Sequence, residues 1–280
     1  MNSPYTPPPQ TSLEKPPPLV DTDIYGNPLP QLLAEPRSCR AGVGVSWLGE
    51  AFEMYKNNFL LWTCMGLALF LIMIIASFIP IIGGFIGYIM LIFIGGMMQG
   101  CAAQARGDKL HFEHLFSGFK THFEPLLILS LLYFAGTMVV MVIAIILVVI
   151  FALMMGFSFD MLVNSMSEAE QSVTFILVIL FLMLVITALM LPLMMAIWFA
   201  PALIVLHGLD AITAMKKSVK GCLKNMLPFL LYSLILLVIF PIGVLITFGF
   251  GMLVVFPLFM ISYYTSYRDV WTDQPLSKNT

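Results

Sequence analysis

Charge is what this sequence has least of. Of 280 residues only 10% are Asp, Glu, Lys or Arg, while 60% are hydrophobic. Soluble domains carry about 25% charged residues, so a water-facing surface cannot be built from this set. The formal net charge of −2 leaves no concentrated basic face of the kind nucleic acid requires. Cysteine is sparse too. Cys39, Cys64, Cys101 and Cys222 form no CxxC pair, and they read as free thiols in apolar or reducing surroundings. Catalytic signatures are missing: no GxSxG and no HExxH occurs, and no apolar run has an ionisable residue at its centre. No secretory h-region precedes the first apolar run, which begins near Phe59.

What is present is hydrophobic length. Six apolar runs are each long enough for the ~20 residues that cross a bilayer: Phe59–Ile79, Ile81–Ala103, Pro125–Phe157, Val173–Leu206, Leu227–Phe248 and Gly251–Arg268. The fold class is therefore all-α, a polytopic bundle of six transmembrane helices. Pro80 ends the first run, and Pro192 and Pro201 should kink the fourth or end it early. The turn between the last two runs fits either Pro241–Gly243 or Gly249–Gly251.

Short amphipathic stretches precede spans 1, 3 and 5, each expected to lie in the membrane surface on the cytoplasmic side. They divide residues 43–271 into three units, 45–103, 109–206 and 209–271, with a Lys at each junction: Lys56, Lys120 and Lys224. In the third, Ile212, Met215, Val219, Cys222, Leu223 and Met226 form an apolar stripe, while Lys216, Lys217, Lys220 and Lys224 gather on another face. Those four lysines are the candidates for anionic lipid headgroups. Residues 1–42 hold ten of the 18 prolines and read as a disordered Pro-rich cytoplasmic tail. Residues 272–280 read as a second cytoplasmic tail.

With six spans, all 13 Lys and Arg residues fall on one side, and the opposite loop Ser158–Ser172 has only acids. Both termini are then cytoplasmic. Trp47, Trp62, Trp198 and Trp271 should mark the same interface as an aromatic belt. In span 2, Gly83 and Gly87, and again Gly96 and Gly100, are spaced for close helix approach within the chain, with Gln99 placed to hydrogen-bond a neighbour. His111 and His114 are weak metal candidates, since no recognised ligand spacing surrounds them. No metal and no other cofactor is expected.

Several segments resemble an uncharacterised family of proteobacterial six-span inner-membrane proteins. These are the Pro-rich start (NSPYTPP), Gly44–Trp62, His114–Phe119 and Phe199–Val205. The last, followed by Ala211–Lys217, also looks like the membrane region of glycerophosphodiester phosphodiesterases, whose catalytic domain is absent from these residues. The resemblance implies an inner-membrane location and this architecture, and carries over no catalytic residue.

The reading is an integral inner-membrane protein that is not an enzyme: a scaffold, assembly or lipid-contacting component. Its partners would be membrane lipids and another protein reached through residues 1–42, with no nucleic acid. The alternatives are a transporter or channel for a neutral or lipid-like substrate, and an immunity protein against a membrane-directed toxin. The orientation is directly testable. A cysteine replacing Glu168 should react with an impermeant thiol reagent in intact cells; reaction only after lysis inverts the topology.

Overall fold

The computed structural model describes residues 22–23, 25–154, 173–246, 248–249 and 251–277. The outer loop 158–172 and the first 21 residues lie outside this set. Among the described residues the chain is helical, with no strand. In order come α1 (Val43–Asn57), α2 (Phe59–Ser77) and α3 (Pro80–Ala105). A 3-10 turn (Phe112–Phe116) and the one-turn α4 (Ser117–Thr121) lead into α5 (Phe123–Met154). Then follow α6 (Val173–Trp198), α7 (Ala200–His207), α8 (Ala211–Lys224), α9 (Met226–Ile246) and α10 (Met252–Trp271).

Local chemistry sets the boundaries. Pro80 occupies the first turn of α3, where its missing N–H costs nothing. The fourth run breaks at Phe199, just before Pro201, whose ring suits the first turn of α7; Pro192 lies inside α6. Gly208 closes α7 in the left-handed conformation, φ 66°, and Asp210 caps α8 by accepting from Thr213 N at 2.9 Å. The turn between α9 and α10 falls at Gly249, φ 91°, and Pro241 stays within α9.

Five helical runs are long and apolar enough to cross a membrane: Phe59–Ser77, Gly83–Ala105, Phe123–Phe151, Ile176–His207 and Met226–Ile246. The sixth helix, α10, is different. Its first half is apolar, but Ser262–Asp269 is polar and buried by the protein itself. It is the hub of the packing, in contact with α1, α2, α3, α7 and α9.

The core sits at one end of the molecule, where residues 28–42 and 272–277 meet. Trp47, Trp62, Met97, Phe199, Tyr264 and Trp271 are fully or almost fully buried there. The tryptophans expected as an interfacial belt are thus core residues, with only Trp198 half-exposed. Three of the four indole N–H groups find internal partners, Trp47 at Asp269, Trp62 Nε1 at Gln104 Oε1 (2.9 Å) and Trp198 Nε1 at Ser266 Oγ (3.1 Å), whereas Trp271 Nε1 is buried without one among the described residues. Away from this end the helices are bare. Only 11%, 6% and 6% of the apolar stretches in α5, α6–α7 and α9 are buried within the chain, against 61% in α3. In a bilayer these exposed aliphatic side chains face lipid, which costs them nothing.

Asp269 joins the two termini to this core. Fully buried, its carboxylate accepts from Trp47 Nε1 (3.1 Å), Leu276 N (2.7 Å), Ser277 N (3.0 Å) and the Ser277 hydroxyl. The N-terminal segment crosses the same place. Leu33 N and Arg37 N donate to the carbonyls of Trp271 and Val270, and the Arg37 guanidinium holds the carbonyls of Asp269 and Thr272. Asn225 secures the segment from the other side, donating to Arg37 O and accepting from Cys39 N at 2.8 Å. Residues 28–42 are therefore a strap folded onto the core, which corrects the disordered tail drawn to residue 42. Residues 272–277 are also packed. Proline excludes helix from the strap, but it does not prevent backbone pairing to the end of α10.

Two measurements follow. Asp269→Asn replaces a carboxylate that four donors satisfy with an amide that must point a donor at some of them. It should destabilise the detergent-solubilised protein by ~2–4 kcal/mol, whereas Leu237→Ala, at a 70% exposed site, should leave the melting temperature unchanged. Burial, reinforced by the Asp269 carboxylate, pushes the Cys39 thiol up to about 11. At pH 8 Cys39 should resist maleimide in the folded protein and react once it is unfolded; labelling at a free-thiol rate in the folded state would mean the strap is not seated.

Candidate functional site

The third surface helix, α8, divides its circumference three ways. Ala211, Ala214, Ser218, Gly221 and Cys222 are buried. Small side chains let the helix lie close: a Cβ on Gly221 would sit 2.6 Å from Trp271 Nε1. The Ser218 hydroxyl accepts from Phe199 N at 2.9 Å and donates to Met195 O at 2.5 Å, tying α8 to the break between α6 and α7. From the stripe read in sequence, Ile212, Leu223 and Met226 are more than half exposed, while Cys222 belongs to the buried face.

The lysines occupy the remaining face, and two of the four are engaged. Lys220 forms an ion pair with Glu35 of the strap, Nζ to Oε1 at 2.7 Å. Lys220, with Lys224 and Lys217 nearby, holds the Glu35 carboxyl below its usual range. Lys217 donates to Ala34 O at 3.3 Å and lies 4.8 Å above the Trp271 ring. Lys216 and Lys224 are exposed and form no ion pair among the described residues. The stripe thus has a structural duty, holding the strap, that the sequence pattern did not reveal.

The glycines of span 2 separate into two groups. Gly96 and Gly100 seat the surface segment of the second unit. A Cβ on Gly96 would meet His114 O at 2.5 Å, and one on Gly100 would meet the His114 side chain at 3.1 Å. Gln99 between them donates to Thr121 Oγ1 at 3.0 Å and contacts His122 Nδ1 at 3.0 Å. The other pair differs. A Cβ on Gly83 would meet the backbone of Ala76 and Ser77 at the end of α2 at 3.2–3.3 Å, and nothing lies within 4 Å of a Cβ on Gly87.

His111 and His114 share one turn, with ring centroids 5.9 Å apart. His114 Nδ1 is occupied by the His111 backbone, accepting its N–H at 3.0 Å. Among the described residues no three His, Cys, Asp or Glu side chains come together in a way that could hold a metal ion.

A pocket of ≈ 100 Å³ that sequence reading missed lies where the ends of α3, α7 and α10 converge. Each helix brings one nitrogen-bearing side chain to its end: Arg106, His207 and Arg268. The two arginines supply the charge that suits a helix C-terminus. Arg268 donates to Tyr264 OH at 2.9 Å and to Gln274 O, and His207 Nε2 meets the Tyr267 hydroxyl. Arg106 Nε faces Asp108 at 3.5 Å, an ion contact without hydrogen-bond geometry. Pro28–Pro30 and Asp23 cover the opening. The signal available in sequence was positional: each residue is a basic group at the close of the second span of its unit.

Residues 59–276 match the family described as Domain of unknown function (DUF7847). A probable inner membrane protein of Burkholderia thailandensis is 25% identical over 203 residues, which span 70% of this chain and 72% of that protein. No solved structure matches. These matches bear on the inner-membrane resemblance and not on the phosphodiesterase one. Five apolar helices and this relative agree in making the protein a multi-pass inner-membrane protein, and with most of its length covered by the family model, the chain belongs to the DUF7847 family.

Proposed function

We propose that the protein is a non-enzymatic inner-membrane scaffold that contacts lipid through its bare spans and presents a rigid platform to the cytoplasm. One observation carries this reading: a densely hydrogen-bonded core at the end where the strap and residues 272–277 meet, against three spans, α5, α6 and α9, with almost no internal burial. Within that core Asp269, Asn225, Ser218 and Thr265 spend their side chains on holding chain segments together. Such a division suits a load-bearing part better than a reaction site.

Six crossings and cytoplasmic termini belong to the same proposal. The strap pairs with the residues after α10, through the bridge Leu32–Thr272. Termini at one end require an even number of crossings, and α10 supplies the sixth, its polar half shielded by protein. The amphipathic segments lie in the cytoplasmic membrane surface. In α8 the exposed apolar residues and the lysines flank one another, as an interfacial helix requires. A protein partner reached through the Pro-rich segment completes the reading.

The test is capture of the tagged full-length protein in mild detergent, with proteins identified by mass spectrometry. A stoichiometric partner that is lost on deleting residues 1–21, while the melting temperature holds, is the expected result. Solute flux in proteoliposomes of the protein alone would overturn the scaffold in favour of transport.

A further inference from the structure

The three units repeat one docking step. Each surface segment packs on the second span of the unit before it: the 3-10 turn and α4 on α3, α8 on α6 and α7, and α1 on α10, which closes the ring. The spans follow the same rule at two of three seams. α3 packs on α5, and α10 packs on α2, where a Cβ on Gly66 would lie 2.6 Å from the Pro257 ring. The third seam, α6 on α9, is open. The two helices meet at its foot, where Trp198 touches Phe229 and Tyr232 with ring centroids 5.1 and 5.7 Å apart. Beyond that their backbones stay apart.

The cleft stands on α8, which packs under the end of α6 and runs directly into α9. Large apolar side chains are exposed further along the faces that meet at the foot: Leu184, Leu191 and Met194 on the Trp198 face of α6, and Ile239 and Phe240 on the Phe229–Tyr232 face of α9. Neither α6 nor α9 carries two small residues four apart, the spacing that lets another helix approach closely. Flexible acyl chains fill such a rough, open wall better than a helix does. On the same helix, Lys216 and Lys224 are the two lysines that form neither a hydrogen bond nor an ion pair with the strap among the described residues, and Leu223 is exposed as well.

We propose that the open seam between α6 and α9 is a binding site for one anionic phospholipid, its acyl chains lying in the cleft and its headgroup held by Lys216 and Lys224. The proposal rests on the placement of α8 in the cytoplasmic membrane surface argued above. It adds a defined lipid class at a defined place, and explains why one seam of a threefold pattern is left unfilled.

The experiment uses the full-length protein in a neutral detergent, with phosphatidylglycerol or phosphatidylcholine added and binding read by native mass spectrometry and melting temperature. Wild type should retain one phosphatidylglycerol in preference to phosphatidylcholine. Lys216→Gln with Lys224→Gln should weaken phosphatidylglycerol binding ~30-fold and abolish the preference without lowering the melting temperature in lipid-free detergent. Leu191→Trp, which fills the cleft from an exposed position on the Trp198 face of α6, should lose both lipids, whereas Ile75→Trp on the bare face of α2 should behave as wild type. Equal retention of the two lipids by wild type, or a preference that survives the double lysine change, overturns the proposal. So does a dimer that Leu191→Trp converts to monomer, since a second copy would then fill the seam. A spin label at Leu223 separates this failure from failure of the underlying reading. If it is quenched by a lipid-soluble reagent while no lipid preference is seen, α8 lies in the membrane surface and only the specific site is wrong.

Discussion

The buried carboxylate of Asp269 is the constraint that the rest of this structure answers to. A charge withdrawn from water must be met by donors, and here they come from two places: the distant Trp47 indole, and the segment just after α10, through the Leu276 and Ser277 amides and the Ser277 hydroxyl. Satisfying it draws α1 onto α10 and folds the C-terminal tail back. The Arg37 guanidinium on the neighbouring carbonyls then fixes the strap. One residue near the end of the last helix thereby fixes both ends of the chain.

Two solvents explain why the packing is so uneven. At the core end water is the competitor, so polar groups must pair internally and apolar ones must be covered. Along α5, α6 and α9 the medium is hydrocarbon, which solvates Leu, Ile and Val as well as a neighbouring helix does. Tight contact is needed only where backbone approaches backbone. That is where Gly44, Gly96 and Gly118 occur, each beneath a backbone group a side chain would displace.

The parts of the fold that depend on local pattern were legible in the sequence. Five apolar runs and the Gly96–Gly100 ridge with Gln99 follow from spacing and composition. What was not legible depends on partners far away in the chain. The strap has no periodicity, and its hydrogen bonds run to residues more than 180 positions distant. The polar half of α10 looks like an interfacial stretch when read alone, because composition cannot distinguish burial in protein from exposure to headgroups. In α8 the conspicuous apolar stripe is bare only in part: Ile212 and Leu223 are exposed, Met215 and Val219 half-buried and Cys222 buried. The packing face is made of small residues that no hydropathy pattern emphasises. The Arg106–His207–Arg268 pocket needed three helix ends to be brought together before it existed.

Backbone hydrogen exchange of the full-length protein, resolved by mass spectrometry in lipid nanodiscs, tests the central claim most directly. If the strap is a structural element seated on α10, the amides of Leu33, Arg37 and Cys39 should be protected to the same degree as those near Asp269, and Asp269→Asn should release all of them together. Exchange of those three amides at the rate of an unstructured peptide in the wild-type protein would contradict the account.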